Sequence, residues 1–172
     1  GTVPGQSNVV PWANVGTDTS SVDSQLVLNH GVTYYGSVRV TDNVDNVSDP
    51  YSSDGITVDL FNPTVDIPVD GVLSGADLDY QTSSNSLTVY WLPTVEAELD
   101  YYEYSFSTTI GADDIVSWTV TTDTMAVIDS LDLAHAQIYY SNLRAFDLAG
   151  NPSFVSSSDG ITVDLYQPIT GT

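Results

Sequence analysis

A twelve-residue stretch occurs twice in this chain, 105 positions apart: Ser52-Ser53-Asp54-Gly55-Ile56-Thr57-Val58-Asp59-Leu60-Phe61-Asn62-Pro63, then Ser157-Ser158-Asp159-Gly160-Ile161-Thr162-Val163-Asp164-Leu165-Tyr166-Gln167-Pro168. The same offset pairs Tyr34-Tyr35 with Tyr139-Tyr140, Asp42 with Asp147, Asn46 with Asn151, His30 with His135 and Arg39 with Arg144. Further upstream the offset becomes 106, pairing Trp12 with Trp118, and a one-residue length change before Leu26 accounts for it. Self-similarity of this length predicts one building block used twice, each copy within the common size range of a single domain. Position 1 aligns near Ser107, so residues 1–62 are expected to form the C-terminal part of an incomplete copy and residues 63–172 a complete copy with its linker. A half sandwich leaves a sheet face and a strand edge uncovered. The first copy's missing strands are therefore expected from a longer polypeptide or a neighbouring subunit.

Composition excludes several classes. The 23 acidic residues face two arginines, and lysine is absent. Such a surface repels phosphate backbones and anionic lipid, so nucleic acid is not an expected partner. The acids are scattered among Ser, Thr, Val and Tyr instead of forming blocks, which argues against a disordered acidic tail. With no cysteine there is neither disulfide nor thiolate–metal chemistry. No apolar run approaches the roughly 20 residues a spanning helix needs, so this segment is not expected to insert into a membrane.

Along the chain, short runs rich in Val, Ile, Thr, Tyr and Trp alternate with clusters of Gly, Asn, Asp, Ser and Pro. This is the rhythm of an all-β, antiparallel β-sandwich. Period-two patterning predicts strands over Ser86–Trp91 and Tyr101–Ser107, the second with Tyr102, Tyr104 and Phe106 on one face. Further strands are expected over Ile115–Val120, Met125–Ile128, Gln137–Phe146 and Gly160–Leu165. The segment from Leu60 to Gly71, with Pro63 and Pro68, reads as a semi-extended, stiff connection.

Trp91-Leu92-Pro93, Tyr102-Glu103-Tyr104-Ser105, and Leu133, Tyr139, Ser141, Leu143 and Ala145 at spacings of six, two, two and two resemble the fibronectin type III pattern. Leu28 and Tyr34 repeat the six-residue spacing, followed by Gly36, Val38 and Val40. The resemblance implies an immunoglobulin-like sandwich in tandem, with Trp91 packed on the second strand and Tyr34 and Tyr139 at the corners leading into the sixth. It is similar to repeats strung along large bacterial surface or secreted proteins. His135 and Gln137 stand where the family's corner carries proline and threonine, and there is no Arg-Gly-Asp attachment sequence.

Candidate sites follow from these placements. Alternation turns Glu103 and Arg144 outward on neighbouring third and sixth strands, so they are expected to pair across the sheet. His30 and His135 are expected to hydrogen-bond within loops, since one histidine per copy cannot assemble a zinc site. Oxygen-rich turns supply ligands of the kind calcium takes, and the calcium set drawn from them is Asp42, Asp45, Asp66, Asp70, Asp77, Asp79, Asp147 and Asn151. The competing reading is that these residues form solvated turns. Trp12 and Trp118 are expected to pack in the core with Trp91, which leaves few aromatic faces for stacking on sugars. Glu96 and Glu98 share a loop with no feature marking them as a catalytic pair, so no enzyme activity is expected.

The function that fits is a non-catalytic structural or interaction repeat of an extracellular, cell-surface stalk, fibre or adhesin. Its expected partners are neighbouring repeats of the same polypeptide or filament, and surface glycans or proteins. The alternatives are a spacer or carbohydrate-binding module of a secreted hydrolase, and a filament subunit completed by strand donation.

Overall fold

A computed structural model describes residues 1–71, 76–95 and 97–169; Glu96 lies outside the described residues. The chain divides into two compact units, Gly1–Phe61 and Asn62–Thr172. The described residues contain strands and turns and no helix, hence no helix long and apolar enough to cross a membrane.

In the first unit, strands β1 (Thr33–Tyr34) and β4 (Ile56–Thr57) pair, as do β2 (Ser37–Val38) and β3 (Tyr51–Ser52). The second unit contains β5 (Val69–Asp70), β6 (Tyr80–Gln81), β7 (Leu87–Tyr90), β8 (Leu99–Ser107), β9 (Val116–Thr121), β10 (Met125–Ile128), β11 (Ile138–Asp147), β12 (Ser156–Ser157) and β13 (Ile161–Val163). One sheet runs β10-β7-β5 and the other β6-β13-β11-β8-β9, with β12 also on β11. All pairings are antiparallel except β13 with β6, which is parallel.

The core of the second unit is set by alternation. Leu87, Val89 and Trp91 from one sheet meet Tyr102, Tyr104, Phe106, Tyr139, Leu143, Ala145, Ile161 and Val163 from the other. The Trp91 ring meets Tyr102 edge-on at 5.6 Å between centroids and Tyr104 at 6.3 Å. Two packed antiparallel layers around such a centre are the architecture expected from the sequence.

Three readings are corrected. The segment from Leu60 to Gly71 is not simply a connection, because Val69–Asp70 forms a strand on β7 and Pro63 and Pro68 are buried. The cause is local: Val69 and Asp70 lie opposite Tyr90 and Val89, and Gly71 donates to the Thr88 carbonyl at 2.9 Å. Trp118 and Trp12 are not core residues. A bulge in β9 sets Tyr104 opposite Thr119 but Phe106 opposite Val116, so one extra residue breaks the alternation and turns Trp118 to the outer face. There Arg144 lies over its ring at 4.4 Å, and Arg39 lies over Trp12 at the same distance.

The pairings of the two units correspond residue by residue. Thr33 opposite Thr57 matches Ile138 opposite Thr162, Ser37 opposite Ser52 matches Asn142 opposite Ser157, and the bridge Thr41–Val47 matches Phe146–Pro152. Tyr34 accepts the Asn29 amide on its hydroxyl at 3.1 Å, and Tyr139 accepts the Ala134 amide at 2.9 Å. Gly55 and Gly160 both have φ between +90° and +100° (93° and 98°), where an added Cβ would fall 2.7 Å from Thr33 and Ile138 respectively. Only glycine suits that backbone and that approach, which explains why the repeated Ser-Ser-Asp-Gly stretch is the best-matched part of the chain.

Tyr139→Phe removes the acceptor of this corner and is expected to cost about 1 kcal/mol, because the Ala134 amide exchanges a fixed partner for water. Urea unfolding would measure it, and an unchanged midpoint would show that the corner bond carries no stability.

Candidate functional site

The outer face of the β9-β8-β11 sheet carries the expected cross-strand pair. Glu103 lies opposite Arg144, which donates from Nε at 2.6 Å and approaches from Nη2 at 2.5 Å. The Arg144 guanidinium also lies over the Trp118 ring at 4.4 Å and the Phe146 ring at 5.3 Å, and Phe146 stacks on Tyr101 at 4.8 Å. The pair is half-buried beside these rings, not a fully solvated surface bridge. Arg144→Met is expected to lower stability by about 1 kcal/mol, since it removes the charge partner of Glu103 and the cation from Trp118. Lysine at this position should recover only part, because it lacks the flat fork. Equal urea midpoints for the wild type and Arg144→Met would contradict this.

Next to Arg144, on the same face of β11, is a polar cluster that the sequence did not indicate. Asn142, fully buried, donates from Nδ2 to Ser107 Oγ at 2.9 Å and to the Ala112 carbonyl at 2.8 Å, and it accepts from Gly111 N and Ser157 Oγ. Every polar atom of that amide is satisfied, so the cluster anchors the 108–114 loop and offers no ligand site.

The histidines behave as loop residues. His30 Nδ1 accepts the Leu60 amide at 3.2 Å and His135 Nδ1 the Leu165 amide at 3.1 Å. Each ring also packs on the following aromatic residue, Phe61 or Tyr166. Glu98 is exposed, and its backbone carbonyl accepts the Leu148 amide.

The eight-residue oxygen set does not form one site; the structure divides it. Asp42 accepts the amides of Val44 and Asn46 and the Asn46 side chain, each at 2.9 Å. Those bonds, the Asn46 side chain first, hold its carboxyl below the usual range. Asp147 repeats the arrangement with Ala149 and Asn151. Burial pushes the Asp147 carboxyl up, but the Asn151 side chain and the amides of Asn151, Ala149 and Gly150 outweigh it and leave the group lowered. Asp45, with φ 65°, occupies the left-handed position that Gly150 fills in the second unit. Both turns are therefore closed on themselves, and Asp42, Asp45, Asp147 and Asn151 build turn geometry. Asp66 and Asp79 are exposed and stand outside the one acidic group found among the described residues.

That group is Asp70, Asp77 and Asp159, with one carboxylate oxygen from each lying within 4.8 Å of the others. Asp70 comes from β5, Asp77 from the segment leading to β6, and Asp159 from the turn between β12 and β13. Asp70 is only 1% exposed. Its Oδ1 accepts the Ser141 hydroxyl, its amide donates to Asp77 Oδ1 at 2.9 Å, and its Oδ2 is buried without a hydrogen-bond partner. Burial pushes the Asp70 carboxyl up to about 6, opposed by the Ser141 and Ser158 hydroxyls and reinforced by the charges of Asp77 and Asp159. The sequence flagged Asp70 and Asp77 but not Asp159, which the repeated Ser-Ser-Asp-Gly stretch presents beside them.

No protein-family model matches the chain, and no curated protein matches it. Among solved structures the chain is similar to the FN1-FN3 domains of chicken CNTN1, at 14% identity and TM-score 0.49, covering 80% of this chain and 44% of that one. It is also similar to the sixth fibronectin type III domain of human fibronectin type III domain containing protein 3, at 18% identity and TM-score 0.40, covering 64% and 95%. A third likeness, to a beta-1,2-glucanase from Parabacteroides distasonis at 20% identity and TM-score 0.37, covers 73% of this chain but 16% of the enzyme. The all-β sandwich rests on the strand order, buried Trp91 and the Tyr139 corner, and no activity or partner is carried over from these likenesses.

Proposed function

We infer that this chain is a non-catalytic structural and interaction module of an extracellular stalk, fibre or adhesin, built on a fibronectin type III-like unit used in tandem. The observation that carries the reading is the recurrence of one pairing register, one tyrosine corner and one glycine turn at a fixed offset in two units. Repetition of one sandwich-forming unit along a chain supplies length. Neighbouring copies, and surface glycans or proteins, are the partners such a module serves.

The charge supports the same reading. A surface carrying 23 acids and no lysine discourages lateral association and presents trypsin with only two arginines, one of them held between rings and a carboxylate. Tyr101 and Phe146 stack on each other and Arg144 lies over Trp118, so one face of each ring on this sheet is already engaged.

Antibody raised against the chain tests the location. Intact producing cells should be labelled, and added protease should strip the label without lysis. Labelling that appears only after permeabilisation would overturn the extracellular assignment.

A further inference from the structure

We propose that Asp70, Asp77 and Asp159 form a binding site for one hard divalent cation, calcium before magnesium, at the edge of the second unit. Two independent observations meet there. Three carboxylates from separate segments place an oxygen each within 4.8 Å of the others, and the buried Oδ2 of Asp70 has no hydrogen-bond partner. Among the described residues only two buried side-chain polar atoms lack a partner, the Trp91 indole N–H in the core and this carboxylate oxygen, and only the oxygen is of the kind that ligates a cation.

The surroundings explain why a cation suits the position better than a protein group. Asp70 Oδ1 is oriented by the Ser141 hydroxyl, and Ser141 is fixed to Ser158 through its amide at 3.0 Å and its carbonyl at 2.9 Å. The adjacent residue, Asp159, is thereby carried by a braced turn. On the other side the Asp70 amide holds Asp77 Oδ1 at 2.9 Å, and the Leu78 amide returns to the Asp70 carbonyl at 3.0 Å. The two acids that face Asp70, Asp77 and Asp159, are both exposed, so their outer oxygens are open to an ion and its waters. Neither arginine enters the cluster, and no lysine exists to neutralise it.

Carboxylate-only ligation selects hard ions over zinc or copper. Calcium accepts irregular geometry and six to eight oxygens, so three carboxylates completed by water suit it. Magnesium demands a tighter octahedron. The site would join β5 to the β12–β13 turn, elements that belong to different sheets. Ion binding would therefore clamp the two layers together.

The test uses the 172-residue chain, stripped with chelator, and calcium itself as the probe in calorimetric titration. One saturable ion per chain is expected, with a dissociation constant of about 0.1–1 mM as in extracellular modules. Calcium at about 10 mM should raise the unfolding midpoint of the second unit by roughly 6–12 °C. Asp77→Asn and Asp159→Asn change exposed side chains and should leave the fold intact while weakening binding about tenfold or more. Asp123→Asn, in the β9–β10 turn, should bind as the wild type does. Binding that is absent up to about 10 mM, or that Asp77→Asn and Asp159→Asn leave unchanged, would overturn the site. The second result would assign the ion to the diffuse acidic surface.

Discussion

Trp91→Ala is expected to lower the stability of the second unit by about 3–5 kcal/mol, enough to leave it marginal at room temperature. The indole is 1% exposed and touches rings from the opposite sheet, so truncation opens a cavity between the layers. The loss extends to Tyr102, whose hydroxyl accepts the Thr94 amide at 2.9 Å and whose ring then lacks its edge-on neighbour. Trp91→Phe should cost much less than its volume implies, because the indole N–H is buried without a partner and phenylalanine removes that unsatisfied donor. Urea unfolding followed by far-ultraviolet dichroism measures both. A loss under about 1 kcal/mol for alanine would mean that the two sheets do not pack on this residue.

Asp70→Asn should act in the opposite direction. With chelator present at pH 7.5, it is expected to stabilise the chain by up to about 3 kcal/mol. The folded carboxyl sits at about 6 against an ordinary 3.8, so folding strengthens its hold on the proton. Its contribution is fully present below pH 3.8, where both states are protonated, and is lost as pH rises through 6. The wild type should therefore lose stability between pH 4 and 7 relative to Asp70→Asn, and the two curves should converge toward low pH. Asp42, Asp114 and Asp147 have the reverse sign, since their carboxyls are lowered. Their contribution is present above the ordinary carboxylate value and fades only as pH falls further, so the window from 4 to 7 isolates Asp70. Parallel curves for the two proteins would show that Asp70 is not held in an environment that resists its charge.

A carboxylate that lowers stability at neutral pH, where asparagine would serve the fold better, is the cost that the proposed cation site would offset. Calcium at about 10 mM should narrow the gap, stabilising the wild type and leaving Asp70→Asn nearly unaffected.

The sheet could be read from the sequence wherever alternation ran unbroken. Tyr102, Tyr104 and Phe106 face inward as their spacing implies, and the Glu103–Arg144 pair follows from the same parity. The six-residue interval from Leu133 to Tyr139 likewise located the corner, because the tyrosine must reach back to a nearby amide. Reading failed where one residue changed the parity. The β9 bulge carried Trp118 to the outer face, and no residue of Ile115–Val120 announces a bulge.

The acidic site was half legible for a different reason. Asp70 and Asp77 are close in sequence and rich in oxygen, but the Ser141 hydroxyl that orients Asp70 is 71 residues away. Only the closing of β5 against one sheet and of the β12–β13 turn against the other brings Asp159 to them. Turn acids such as Asp42 and Asp147 carry the same letters, and what separates them is whether their own backbone amides already fill the carboxylate.

The central claim is that one strand register serves both units. The absence of cysteine makes it directly testable by engineered disulfides. Thr33 and Thr57 face each other with hydroxyls 2.8 Å apart, and Ile138 and Thr162 are their counterparts. Under mild oxidation, Thr33→Cys with Thr57→Cys and Ile138→Cys with Thr162→Cys should both close intramolecular bonds in high yield. The slipped combinations, with Val58→Cys or Val163→Cys as the second member, should not. Closure of a slipped pair in either unit, or of the matched pair in one unit only, would contradict the shared register.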